Sequence, residues 1–169
     1  MAISIKSSAT STASTVTGPS DIVAGDLLIL LDMALSFDDY PTLVTPSGFT
    51  SIGDVTVSYF NYHRQNLSYK IADGSEASAS ITGMNGTDGN RKCLLVVTGD
   101  GAITSVTPAS YNEQGTNVDP TSQTVTSGSG GAPLIVVGGY GAASDIDPRT
   151  FSPAKDGEIN PNGNGNLYL

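Results

Sequence analysis

Tryptophan is absent from this chain, and cysteine and histidine occur once each. A lone cysteine excludes an internal disulfide framework, so the fold has to hold through its core and its backbone pairing. Cys93 sits inside the apolar run Lys92-Cys93-Leu94-Leu95-Val96-Val97, where a thiol acts as a small hydrophobe. His63 is the only imidazole, so a triad or a histidine-based metal site would depend on it alone. No Gly-x-Ser-x-Gly elbow surrounds any serine. Charge is scarce and mostly of one sign: 7 Lys and Arg stand against 16 Asp and Glu, for a net charge of −9. Phosphate repels such a chain, and no basic cluster reverses that, so we expect no nucleic-acid partner. Long hydrophobic stretches are missing as well. The longest, Leu27 to Leu35, is interrupted by Asp32 and falls short of the ~20 residues of a membrane helix. Met1 to Lys6 lacks the basic and then apolar pattern of a signal peptide. Neither a membrane nor a secretory route is expected.

What the chain has is turn chemistry and short aliphatic runs. It carries 20 Gly and 9 Pro among many Ser, Thr and Asn. Three runs stand out: Asp26 to Leu31, Lys92 to Val97, and Ala132 to Gly138. Each is bounded by Gly, Pro or polar residues, as a strand buried on both faces is. Each follows a similar motif: Thr15-Val16-Thr17, Ser80-Ile81-Thr82 and Thr124-Val125-Thr126. We read three hairpin-like units of one sheet protein. Ile3 and Ile5 alternate with Ser4 and Lys6 in a first strand, and Leu67, Tyr69 and Ile71 alternate with Ser68 and Lys70 in another. Thr56 to Tyr62 is β-branched and aromatic, as strands prefer. Pro46-Ser47-Gly48-Phe49 and Ala72-Asp73-Gly74-Ser75-Glu76 read as turns. The expectation is an all-β fold: a two-sheet antiparallel sandwich, jelly-roll-like, of about eight strands and without a substantial helix. Residues 1–169 form a single domain in this reading, with a long Gly-, Asn- and Pro-rich loop at about 138–166.

Three stretches together resemble a known group. Pro19-Ser20-Asp21-Ile22-Val23-Ala24-Gly25-Asp26-Leu27-Leu28-Ile29, Pro46-Ser47-Gly48-Phe49-Thr50 and Tyr69-Lys70-Ile71-Ala72-Asp73-Gly74-Ser75-Glu76 are similar to β-sandwich proteins of tailed-bacteriophage virions, found as head decoration, head fibre or tail-associated modules. Phe49 stands where such proteins often carry tryptophan. The resemblance implies a non-enzymatic structural role at the particle surface. The expected partners are the major capsid or tail protein and other copies of the chain, since a closed homo-oligomer such as a trimer would bury exposed strand edges that otherwise invite aggregation. The resemblance also implies a long last strand, of which Leu167-Tyr168-Leu169 would be the start, available to pair with a neighbouring subunit. It carries over no catalytic residue.

Other chemistries find little support in the residues. Asp38-Asp39, Asn85 to Asn90 and Asp145-Ile146-Asp147 offer oxygen ligands of the kind Ca²⁺ takes, but without the spacing and closing glutamate of an EF-hand loop. Asx and Gly residues serve tight turns equally well. Acidic residues are scattered rather than paired as glycoside cleavage needs. Tyr40, Tyr59, Tyr62 and Tyr111 are candidate sugar-stacking rings, so a carbohydrate-binding or receptor-recognition module is the alternative reading. No catalytic, cofactor-binding or metal-ligating residue is assigned, and no cofactor is expected.

Overall fold

The computed structural model describes residues 3–59, 61–108, 137–140, 158–159 and 165–168. These contain ten strands and no helix: β1 (Ile3–Ser11), β2 (Thr15–Thr17), β3 (Leu27–Ser36), β4 (Thr50–Tyr59), β5 (Asn61–Ile71), β6 (Ser80–Thr82), β7 (Gly89–Gly99), β8 (Val137–Tyr140), β9 (Glu158–Ile159) and β10 (Gly165–Tyr168). The first seven build an all-β pair of antiparallel sheets, one of five strands in the order β1-β7-β3-β5-β4 and one formed by β2 and β6. β8, β10 and β9 form a separate three-stranded antiparallel sheet.

The central strands explain the apolar runs. β3 lies between β7 and β5, with Leu31 opposite Cys93 and Leu67. Successive side chains of a strand point to opposite faces, so a strand covered on both sides needs apolar residues at nearly every position. Leu27, Ile29, Leu31 and Met33 join Cys93, Leu95 and Val97 in one core, against which Ile3, Ile5, Leu67, Tyr69 and Ile71 pack. Leu28, Leu30, Leu94 and Val96 form a second core on the opposite face, closed by Val16 of β2 and Ile81 of β6. Phe49 and Ala77 pack against that second core. Two of the three apolar runs therefore lie side by side in mid-sheet, as the sequence suggests.

The pairing of their upstream motifs differs from expectation. Thr15-Val16-Thr17 does not fold back on the run that follows it. It pairs with Ser80-Ile81-Thr82, Val16 opposite Ile81, while run pairs with run in β3 and β7. The two units thus meet motif to motif and run to run, and the motif strands form the cover of the second core rather than hairpin arms. Burial drives this choice: Val16 and Ile81 each present one apolar side chain between two polar ones, which suits a lid over a core and not a strand buried on both faces. Thr124 to Thr126 and most of the third run lie outside the described residues.

Two further boundaries move. Thr56 to Tyr62 is not one strand: the chain reverses there, with Tyr59 opposite Asn61, and β4 and β5 form a tight hairpin. β-branched and aromatic composition marks extended backbone but not where it turns. The segment at 138–166, read as loop, contains parts of β8 and β10 and all of β9. These strands are two to four residues long, and glycine fills Gly138, Gly139 and Gly165, so they hold together through backbone bonds with almost no side-chain pattern to read. β10 lies in the middle of that sheet, paired with β8 on one side and β9 on the other.

Lys6 illustrates how local irregularity is used. β1 shifts register between Ile5 and Ser7, so Lys6 faces no partner on β7. A bulge of this kind re-aims one side chain. Lys6 Nζ reaches Asp26 Oδ2 at 2.8 Å, and the Val23 N–H donates to the same oxygen at 2.9 Å. Asp26 follows Gly25, whose φ of +90° lets the chain turn into β3 where a side chain would be strained. Burial alone would raise the Asp26 pKa; hydrogen bonds from Lys6, Val23 and Thr98 outweigh it and hold it below the usual carboxylate value. A depressed folded-state pKa adds stability above the unfolded value near 3.8, and that contribution is lost as pH falls through the lower folded value. Urea midpoints measured from pH 5 down to pH 2.5 should therefore fall less steeply in a Lys6→Met variant than in the parent protein.

Candidate functional site

The face of the five-stranded sheet that carries the second core changes character along its length. Past Leu30 and Leu94 it becomes polar. Asp32 on β3 stands in register between Lys92 on β7 and Asn66 on β5, and Asn66 stands opposite Asp54 on β4. Asp32, Lys92 and Asn66 are all 0% exposed. Lys92 Nζ bonds to Asp32 Oδ1 and donates to the Met84 carbonyl at 2.7 Å. The Met84 N–H donates to Asp32 Oδ2 at 2.6 Å. Ser51 Oγ donates to Asn66 Oδ1 at 2.6 Å, whereas Asn66 Nδ2 and Ser68 Oγ are buried without a hydrogen-bond partner.

The cover over this pair is the backbone of Gly83 and Met84. A Cβ added at Gly83 would lie 2.0 Å from Asp32 Oδ2, so any side chain there displaces the carboxylate or the cover. Close backbone approach is what glycine permits. Burial pushes the Asp32 carboxyl up and the Lys92 amine down, each opposed by the attraction of the other. Both displacements favour uncharged forms, because water is excluded from both groups.

Beyond this buried row the surface opens. Arg64 forks onto Asp54, Nε to Oδ1 at 2.9 Å and the terminal nitrogen to Oδ2 at 2.6 Å, and its third nitrogen donates to the Pro41 carbonyl at 3.2 Å. Tyr40 meets Tyr62 edge to face with ring centroids 5.0 Å apart. The loop after β3 is thereby tied to β5, while Phe37 stays 57% exposed and Tyr40 37%. On the other flank, a groove of about 320 Å³ lies between Phe49 and Ile81, with Lys70 ion-paired to Glu76 and Asp73.

The residues singled out in the sequence are scattered. His63 is half-buried on β5 opposite Leu35, lining a small cavity of about 70 Å³, and burial lowers its pKa. Cys93 is fully buried and its thiol is pushed up to about 12, the inert hydrophobe its run suggests. Asp39 accepts the Tyr40 N–H, Asp88 accepts the Phe37 N–H, and Asn90 Oδ1 accepts the Gly86 N–H, so these oxygens serve turns. Asp145, Asp147 and Tyr111 lie outside the described residues. Among the described residues, no three His, Cys, Asp or Glu side chains gather as a metal site, and no helix is long and apolar enough to cross a membrane. Sequence reasoning missed the Asp32–Lys92 pair. The signal was present: a carboxylate interrupting one buried run and an ammonium heading another need each other. Comparison with protein-family models, curated proteins and solved structures finds no match for this chain.

Proposed function

We propose that this chain is a non-enzymatic structural protein of a tailed-phage virion, decorating or extending the capsid or tail through symmetric subunit and edge-strand contacts. The observation that carries the reading is the open five-stranded sheet: among the described residues, β1 and β4 are each hydrogen-bonded on one side only. An unpaired strand edge is a template for another chain, and closed oligomers satisfy such edges by symmetry. β4 is the better edge. Its stretch from Val55 to Tyr59 carries no charge and no proline, the usual devices that keep edges apart. The C-terminal strand suits this role less well than the sequence suggests, since β10 is already paired on both sides. The landmark stretches behind the resemblance fall at the entry to β3, the turn before β4 and the turn after β5, as connections that set sheet geometry.

The test is the mass in solution. Light scattering at micromolar concentration should give a homo-oligomer, and Val55→Lys should shift it to monomer with the fold intact by circular dichroism. A monomeric parent protein overturns the edge-contact reading. Glycan recognition is the second reading, favoured by the exposed Tyr40 beside Tyr62. Binding on a glycan array that is lost in Tyr40→Ala would replace the first reading with this one.

A further inference from the structure

An amine and a carboxyl in direct contact, shielded from water, with a backbone donor on the acyl oxygen, are the reactants of an amide bond. Lys92 and Asp32 meet each condition. They are Cα partners on adjacent central strands, both fully buried, with Lys92 Nζ bonded to Asp32 Oδ1. The Met84 N–H holds Oδ2 at 2.6 Å and the Met84 carbonyl accepts from Nζ at 2.7 Å. We propose that Lys92 and Asp32 condense into an isopeptide cross-link that joins β7 to β3.

The step balances within the pair. One proton passes from the ammonium to the carboxylate, giving the neutral amine and the carboxylic acid that burial favours on both sides. Nζ attacks Cγ and the C–N bond forms. Charge developing on Oδ2 is met by the Met84 N–H, a fixed donor in a dry site. A proton from Nζ moves to the Oδ1 hydroxyl, the Cγ–Oδ1 bond breaks, and one water leaves. No oxidant or other reactant is needed. The amide that results keeps one N–H for the Met84 carbonyl and one oxygen for the Met84 N–H, so the product needs no new partners. Gly83, which no side chain can replace without striking Oδ2, keeps the cover close enough to exclude water. In a chain with a single cysteine, this bond would supply the covalent tie that a disulfide cannot.

Intact-mass measurement of the full chain, unfolded in guanidinium, reads the proposal directly. The expected result is a mass one water below that of the sequence, with a branched tryptic peptide joining the Asp32 and Lys92 segments. Lys92→Met should show the full mass of its own sequence. A parent protein at full sequence mass overturns the proposal. So does the loss of one ammonia with Lys92 joined to Asn66, or a water loss mapped to an Asp-Gly step such as Asp73-Gly74, where a succinimide forms instead. The parent protein's mass decides the matter even if the variant fails to fold.

Discussion

Asp32→Ala lowers stability by about 3–5 kcal/mol, read as a fall in the urea midpoint at pH 7. The magnitude follows from what is left behind. Lys92 would keep only the Met84 carbonyl, in a place with no access to water. The Met84 N–H would lose its acceptor as well, so two buried polar groups suffer at once. Lys92 cannot swing out to solvent, because its strand is flanked by β1 and β3 and its side chain is covered by Gly83 and Met84. Truncation here should cost several times more than loss of the exposed Lys70–Asp73 pair, whose ions are screened by water. A retained circular dichroism spectrum would show that the native fold is otherwise kept, while the denaturant slope should rise, because the variant's unfolded chain is no longer held by the cross-link. A loss below about 1 kcal/mol would mean that water reaches the pair, and the dry-site argument for the cross-link would go with it.

How legible this protein is in its sequence depends on where the information sits. β3 and β7 are visible because burial on both faces writes aliphatic residues at nearly every position from Leu27 to Leu31 and from Cys93 to Val97. β5 is visible through the alternation of Leu67, Tyr69 and Ile71, yet Ser68 and Asn66 on its other face turn out to be buried too. Alternation gives which residues share a face, not whether the polar face meets water. Strand partners are less visible still. Nothing in Thr15-Val16-Thr17 names Ser80-Ile81-Thr82 as its neighbour; their shared pattern was the clue, and it marks pairing between the units rather than within them. The Asp32–Lys92 pair was legible in principle from sign alone, one charge in each of two runs that had to be buried. Its cover was not: that Gly83 lies against the carboxylate is a fact of three dimensions, with only a glycine in the sequence to hint at it.

Leu30→Ala is the second large effect, a loss of about 2–5 kcal/mol. Leu30 is fully buried on the central strand, opposite Leu94 on β7 and Ser68 on β5, and belongs to the core closed by Val16 and Ile81. Its truncation leaves a cavity that rigid sheet pairing on both sides cannot collapse. The consequence should be local as well as global. β2 and β6 are three residues each and pair only with one another, so apart from the Met84 hydrogen bonds to Asp32 and Lys92 just past β6, their hold on the molecule is the apolar contact beneath them. Weakening that contact loosens the lid before the sheet opens. Hydrogen exchange should therefore quicken at the Val16 and Ile81 segments in Leu30→Ala at denaturant levels where β3 and β7 stay protected. Leu31→Ala is the matched control. It is one residue along, equally central, but faces the first core with Cys93 and Leu95. It should lower global stability to a similar degree and leave the exchange of β2 and β6 tied to whole-molecule unfolding. If both variants quicken the lid alike, the two faces act as one core, and the division of labour between them fails.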